Sequence, residues 1–145
     1  MGPIEKKLTV NAPVNRVWEA LTDPTEIQKW MMMSTNFEPK TGKNFTFQAE
    51  SSKEWDGVFK CSVKEVVKNK KLSYTWDTAF INAETLVEFN LAEKGNKTEL
   101  SLVHSGWDKM AANQEQTKKS HSEGWDLRFV QKLKEVVESL KPVSK

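Results

Sequence analysis

Proton-transfer chemistry in this chain would have to come from a short set of side chains: His104, Tyr74, Glu84, Glu88 and Asp77. Such work needs an acid or base held in a pocket, with its pKa moved toward neutrality. By strand alternation Glu88 and Asp77 fall on an outward, solvated face. No two carboxylates reach a convincing pairing geometry, and no nucleophile is matched with a base. GxSxG, Gly-rich phosphate loops and dinucleotide fingerprints are absent. His104 and His121 do not stand at metal-ligand spacing, and Cys61 is the lone cysteine. From sequence we therefore assign no catalytic residue, no metal and no cofactor.

Binding chemistry has more material. Six Trp and seven Phe are many for 145 residues. Aromatic rings bury large areas and can line a cavity; a bulky core is the simpler explanation. A site of this kind is mostly apolar with a few placed polar groups. The available handles are the Tyr74 hydroxyl, the Trp N–H groups and His104. His104 reads more simply as a core or rim histidine with its nitrogens satisfied.

The gross numbers set limits. One domain spanning 1–145 is expected, large enough to bury a core. Hydrophobic residues make up 37% and charged residues 29%, a soluble globular balance. Basic and acidic residues number 22 and 20, and a net charge of +2 argues for neither a nucleic-acid groove nor an anionic membrane surface. The longest apolar run, Trp30 to Met33, is too short to span a bilayer. No apolar secretory signal opens the chain, and a single cysteine fits a reducing compartment, so a cytoplasmic location is expected.

The positioning elements follow in order. Ile4 to Val10 alternates as a half-buried strand, broken only by Lys6. Pro13 suits the first position of a helix carrying Val14, Val17, Trp18 and Leu21. Asp23 caps a second short helix, which begins at Pro24 and carries Ile27 and Trp30. Met31-Met32-Met33 is flexible gap-filling material, or the mouth of an adaptable pocket. Ser34 to Lys43 reads as loop or edge structure.

A meander follows. Phe45 and Phe47 alternate in one strand. Gly57, Phe59, Cys61 and Val63 face one way in the run Trp55 to Val67. Leu72, Tyr74 and Trp76 form the next inward set, then Thr85, Val87, Phe89 and Leu91. Lys94-Gly95-Asn96 is a hairpin turn, and Leu100, Leu102 and His104 make the last strand. With the first strand this gives about six antiparallel strands.

Gly124 to Leu140 closes the chain as an amphipathic helix. Trp125, Phe129, Val130, Leu133, Val136, Val137 and Leu140 lie on one side, and Arg128 and Lys132 elsewhere around it. Burying that face contributes on the order of 10 kcal/mol before the entropy of ordering is subtracted. Gly124 costs roughly 1 kcal/mol there relative to Ala and needs a reason. The reason is close approach of the backbone to the sheet or a bound molecule, or a helix start or kink.

The element order predicts an α+β domain, a curved antiparallel sheet wrapped around the last helix. Several stretches resemble the activator of heat-shock-protein-90 ATPase homologue family. These are Ala12-Pro13, Val17-Trp18, Ala20-Leu21-Thr22-Asp23-Pro24, Trp30, Gly57, Leu72-Ser73-Tyr74-Thr75-Trp76, Thr98 to Gly106, and Gly124-Trp125. That family has the START-like (Bet v 1-like) helix-grip fold. One departure is the missing proline between the fourth and fifth strands, where Val67-Lys68-Asn69 stands; it leaves the shape of that turn open.

The resemblance implies a cavity between sheet and last helix for an apolar small molecule of lipid, polyketide or aromatic type. Its expected lining is Trp30 and Met33 from the helical entry, and Phe45, Phe47, Trp55, Phe59, Tyr74, Trp76, Phe89 and His104 from the sheet. Trp125, Phe129 and Leu133 complete it from the last helix. Alternatives are a cyclase- or dehydratase-type enzyme using the same cavity, and a chaperone partner, a role belonging to longer relatives with an additional domain. A homodimer through the outer sheet face or the Met run is a further expectation.

Overall fold

The structure is a computed structural model that describes residues 3–49, 57–77, 84–107 and 114–139, with side chains from 117 to 138 in the last stretch. The strands are β1 (Ile4–Val10), β2 (Ser34–Thr35), β3 (Asn44–Gln48), β4 (Val58–Val67), β5 (Lys71–Trp76), β6 (Thr85–Lys94) and β7 (Lys97–Ser105). Helices α1 (Val14–Thr22) and α2 (Pro24–Met31) join β1 to β2. The C-terminal helix, α3, is α-helical over Gln114–Trp125, π-helical over Asp126–Leu133 and α-helical again over Lys134–Ser139.

The strands form one antiparallel sheet in the order β1-β7-β6-β5-β4-β3-β2, curled around α3 in the helix-grip manner. The strand count is seven, one more than expected. The extra strand, β2, is two residues long and lies in the stretch read as loop or edge. Side chains complete its pairing: the Thr35 hydroxyl donates to Thr46 O at 2.8 Å, and Thr46 N–H donates to Asn36 Oδ1 at 2.9 Å. The same stretch brings in Phe37, 1% exposed, which no periodicity marked.

Two local details correct the sequence reading. Pro13 caps α1 rather than opening it; its carbonyl accepts from Arg16 N–H and Val17 N–H. A bulge in β4, where pairing shifts between Val63 and Glu65, moves the inward set from Cys61 and Val63 to Val66, opposite Leu72. Strict alternation would have turned Glu65 inward. The turn lacking its proline closes with Asn69 at φ 65° and Lys70 N–H on Val67 O at 2.9 Å. Asn tolerates that left-handed conformation, so proline is not needed.

Lys6 is no defect in β1. It shares the inward side with Ile4 and Leu8, and its ammonium reaches Asp126 of α3 at 2.9 Å. Trp30 Nε1 donates to Ala20 O at 2.7 Å and ties α2 to α1. The buried set of α3 is Trp125, Phe129, Leu133 and Val137, at a uniform spacing of four. In a pure α-helix each such step drifts about 40°. The wider i→i+5 turns of the π segment counter that drift and hold the row against the sheet. Leu140, assigned to this face from sequence, lies outside the described residues, as do the turn near Ser51 and the connection near Phe80.

Candidate ligand cavity

The space between sheet and α3 is largely filled by the chain's own rings. Phe45 packs edge-on to Tyr74 at 5.1 Å and Phe37 at 4.9 Å; Phe89 meets Phe129 at 5.8 Å and Trp30 at 6.1 Å. Phe47 and Leu133 are buried in the same cluster. A cavity of about 200 Å³ remains beside the α-helical part of α3 and the end of α2. Met31, Met33, Phe59, Trp76, Ser120, His121, Gly124, Trp125 and Arg128 line it, and exposed Ser120 marks its open side.

The expected lining therefore divides. Met33, Phe59, Trp76 and Trp125 reach the cavity. Trp30, Phe45, Phe47, Tyr74, Phe89, Phe129 and Leu133 are core residues around it, and Trp55 lies outside the described residues. Within the Met run, Met31 and Met33 are buried, whereas Met32 takes φ 60° at the end of α2 and is 44% exposed.

His104 sits behind the cavity, fully buried, with both nitrogens engaged. Trp125 Nε1–H donates to Nδ1 at 3.1 Å. The Thr85 hydroxyl gives its proton to Trp76 O, so the 2.7 Å contact between Thr85 Oγ1 and His104 Nε2 is donated by the histidine. This fixes a neutral Nε2–H tautomer. Burial, then the nearby His121, holds the ring well below the usual histidine range. Gly106, at φ 100°, allows the chain to leave β7 where a Cβ would press within 3.2 Å of Thr85 Cα. Trp107 Nε1–H then donates to His104 O at 2.7 Å.

The other acid-base candidates do not gather here. Burial, with Cys61 nearby, pushes the Tyr74 hydroxyl well above the usual range. Glu84 and Glu88 line a depression on another part of the sheet, where Lys71 pairs with Glu88 at 3.3 Å. Asp77 exchanges backbone hydrogen bonds with Lys60. Among the described residues no three His, Cys, Asp or Glu side chains could hold a metal ion. No described helix is long and apolar enough to cross a membrane.

Ser120, His121 and Arg128 escaped the sequence reading, whereas Met31 stands in the run read as gap-filling or a pocket mouth, and Gly124 at a position read as a close approach or a helix start. Arg128 was placed off the buried side; instead its half-buried guanidinium lies at the cavity, with Nε–H donating to Met31 O at 2.9 Å. That bond satisfies the last carbonyl of α2, a favourable place for a cation. Gly124 explains itself here. A Cβ at that position would lie 2.9 Å from Arg128 Nη1, so glycine lets the guanidinium fold back across the helix. The helix neither starts nor stops at Gly124. His121 donates Nδ1–H to Thr117 O at 2.9 Å. The spacing 121, 124, 125, 128 is i, i+3, i+4, i+7, a stripe the sequence showed but charge disguised.

A curled antiparallel sheet gripping a long helix, with an apolar cavity at the helix flank, defines a helix-grip protein of the START-like class. The family described as Activator of Hsp90 ATPase homolog 1-like protein matches residues 11–138, and the chain belongs to it. Among solved structures, MLL2253 from Mesorhizobium loti is 28% identical over 97% of this chain and 99% of its own, with a TM-score of 0.84. BH1534 from Bacillus halodurans is 29% identical over 95% of this chain and 98% of its own, TM-score 0.76. DynU16, of the dynemicin biosynthetic locus, is 25% identical over 98% of this chain and 49% of its own, TM-score 0.77. No curated protein matches the chain in sequence.

Proposed function

We propose that this protein binds an apolar small molecule in the cavity beside α3 and performs no chemistry on it. The observation that carries this reading is the cavity itself. In a core otherwise closed by rings, about 200 Å³ is left unfilled between Met31, Met33, Phe59, Trp76 and Trp125. An apolar lining left open to water forgoes the dispersion contacts and the burial that an apolar partner would give it. A ligand would supply those contacts. The two methionines can re-pack around different shapes. DynU16, from a biosynthetic locus, is in keeping with a small-molecule ligand. A catalytic role would need an acid and a base converging on the cavity; His121 lines it, but no second acid or base among the described residues does.

Trp76 and Trp125 stand in the lining, so binding has an internal reporter. Titration with small apolar aromatic and fatty compounds is expected to change tryptophan emission saturably, with one site per chain. Trp125→Phe should reduce the amplitude. If no compound gives a saturable change, the cavity is a packing defect and the binding role is lost.

A further inference from the structure

Resting on the binding reading above, we infer that the ligand is a small aryl carboxylate, its ring in the apolar part of the cavity and its carboxylate on Arg128. Of the two arginines in the chain, Arg16 has its charge matched by carboxylates: it pairs with Glu19 at 2.9 Å and Glu26 at 2.8 Å and donates to Val136 O, with Nε left unpartnered among the described residues. Arg128 is also half-buried but has no carboxylate partner among the described residues. A guanidinium carries five N–H donors. Among the described residues only Nε–H is used, on Met31 O. The remaining donors belong to a residue that lines the cavity, with Nη1 lying against Gly124.

Two further polar atoms are left over at the same cavity. Trp76 Nε1 and His121 Nε2 are buried without a hydrogen-bond partner among the described residues. Buried polar groups are normally satisfied, and those that are not call for an explanation. Trp76 Nε1–H is a donor. His121 Nε2 is an acceptor once Nδ1–H is given to Thr117 O. An ionised carboxylate entering from the open side would accept from Trp76 Nε1–H and from the Arg128 guanidinium; it has no proton for His121 Nε2, which takes its hydrogen bond from water or from a hydroxyl on the ligand.

Charge and size narrow the ligand. Burial first, then the charge of Arg128 acting against it, holds His121 below the usual histidine range, after allowing for its bond to Thr117 O. One guanidinium beside a neutral imidazole balances one negative charge. That fits a carboxylate better than a dianionic phosphate monoester. Guanidinium and carboxylate also match as planar, two-point partners. A dry cavity of about 150 Å³ takes benzene. The 200 Å³ here suits one ring with a short side arm.

The test compares cinnamate with its neutral isostere cinnamamide by calorimetric titration of the intact protein. Wild type is expected to bind cinnamate about tenfold or more tighter, the worth of a charge-assisted pair. Arg128→Gln should bring the two affinities together without weakening the amide. Arg128→Lys, which keeps the charge but not the planar two-point fork, should retain part of the preference, and it serves where Arg128→Gln fails to fold. Equal affinities in wild type, or a preference that is undiminished in Arg128→Gln or, where that fails to fold, in Arg128→Lys, would overturn the carboxylate assignment and leave the cavity reading standing. Binding of other apolar compounds but neither of these would also overturn it alone. Silence toward every compound would overturn both.

Discussion

Phe129→Ala is expected to lower the unfolding free energy by about 3–5 kcal/mol, the usual loss for emptying a large aromatic site in a core. Phe129 is fully buried in the π segment of α3, against Phe89 of β6. Its neighbours are held by the sheet on one side and by α2 on the other, so collapse into the vacancy is restricted. Domains of this size carry about 5–15 kcal/mol in total, and the variant would retain a fraction of that. Leu127→Ala is the matched control. Leu127 sits two residues away in the same segment but is 41% exposed, and its loss should stay within about 0.5 kcal/mol. Urea unfolding of both variants decides the matter. Similar losses at the two positions would mean that the helix does not face the sheet as described.

The second large effect is on acid stability. His104 and His121 have folded-state pKa values below the ordinary 6.5, in both cases chiefly through burial. Below pH 6.5 the unfolded chain takes up protons that the native protein refuses. Stability therefore falls as pH drops, by up to about 1.4 kcal/mol per pH unit for each histidine, until the folded-state pKa is reached. Above 6.5 neither ring contributes a pH slope. His104, shifted further, should sustain the loss over the wider range.

The carboxylates do not confuse this window. In Glu26 burial works to raise the pKa, but hydrogen bonds and charges of Lys29 and Arg16 outweigh it. In Glu138 the bonds from Lys134 and Asn11 N–H lower it. Both therefore lose their contribution below the ordinary value of 4.5. Denaturant midpoints between pH 7 and 5 should decline steadily while the His104 ring signals in an NMR spectrum stay untitrated. A flat stability profile, or a His104 midpoint near 6.5, would contradict the buried neutral tautomer.

How much of this was legible beforehand varies by element. β1, β5, β6 and β7 follow from alternation, because a half-buried strand writes its two faces into every second residue. Asp23-Pro24 reads as a helix start, and Asp23 does cap Thr25 N–H at 2.9 Å. β2 was not legible, since two residues carry no period. The β4 bulge was not either, because the extra residue looks like ordinary alternation until its partner strand is known. The candidate site was half visible. Trp76, Trp125, Met33 and Phe59 announce themselves as large apolar groups. Arg128 and His121 share their helix face but carry polar atoms, and a polar residue on a helix reads as surface.

By itself the sequence determined the element order, the inward side of most strands and the covering role of the last helix, because periods of 2 and 3.6 are local properties of the backbone. It also exposed the family resemblance that the match over residues 11–138 bears out. Only the tertiary structure decided which rings fill the core and which border the gap. It also decided which tautomer His104 adopts and that Arg128 spends one donor on a carbonyl 97 residues away. Those outcomes depend on volumes and hydrogen bonds summed over distant segments, and no window of neighbouring residues contains that sum.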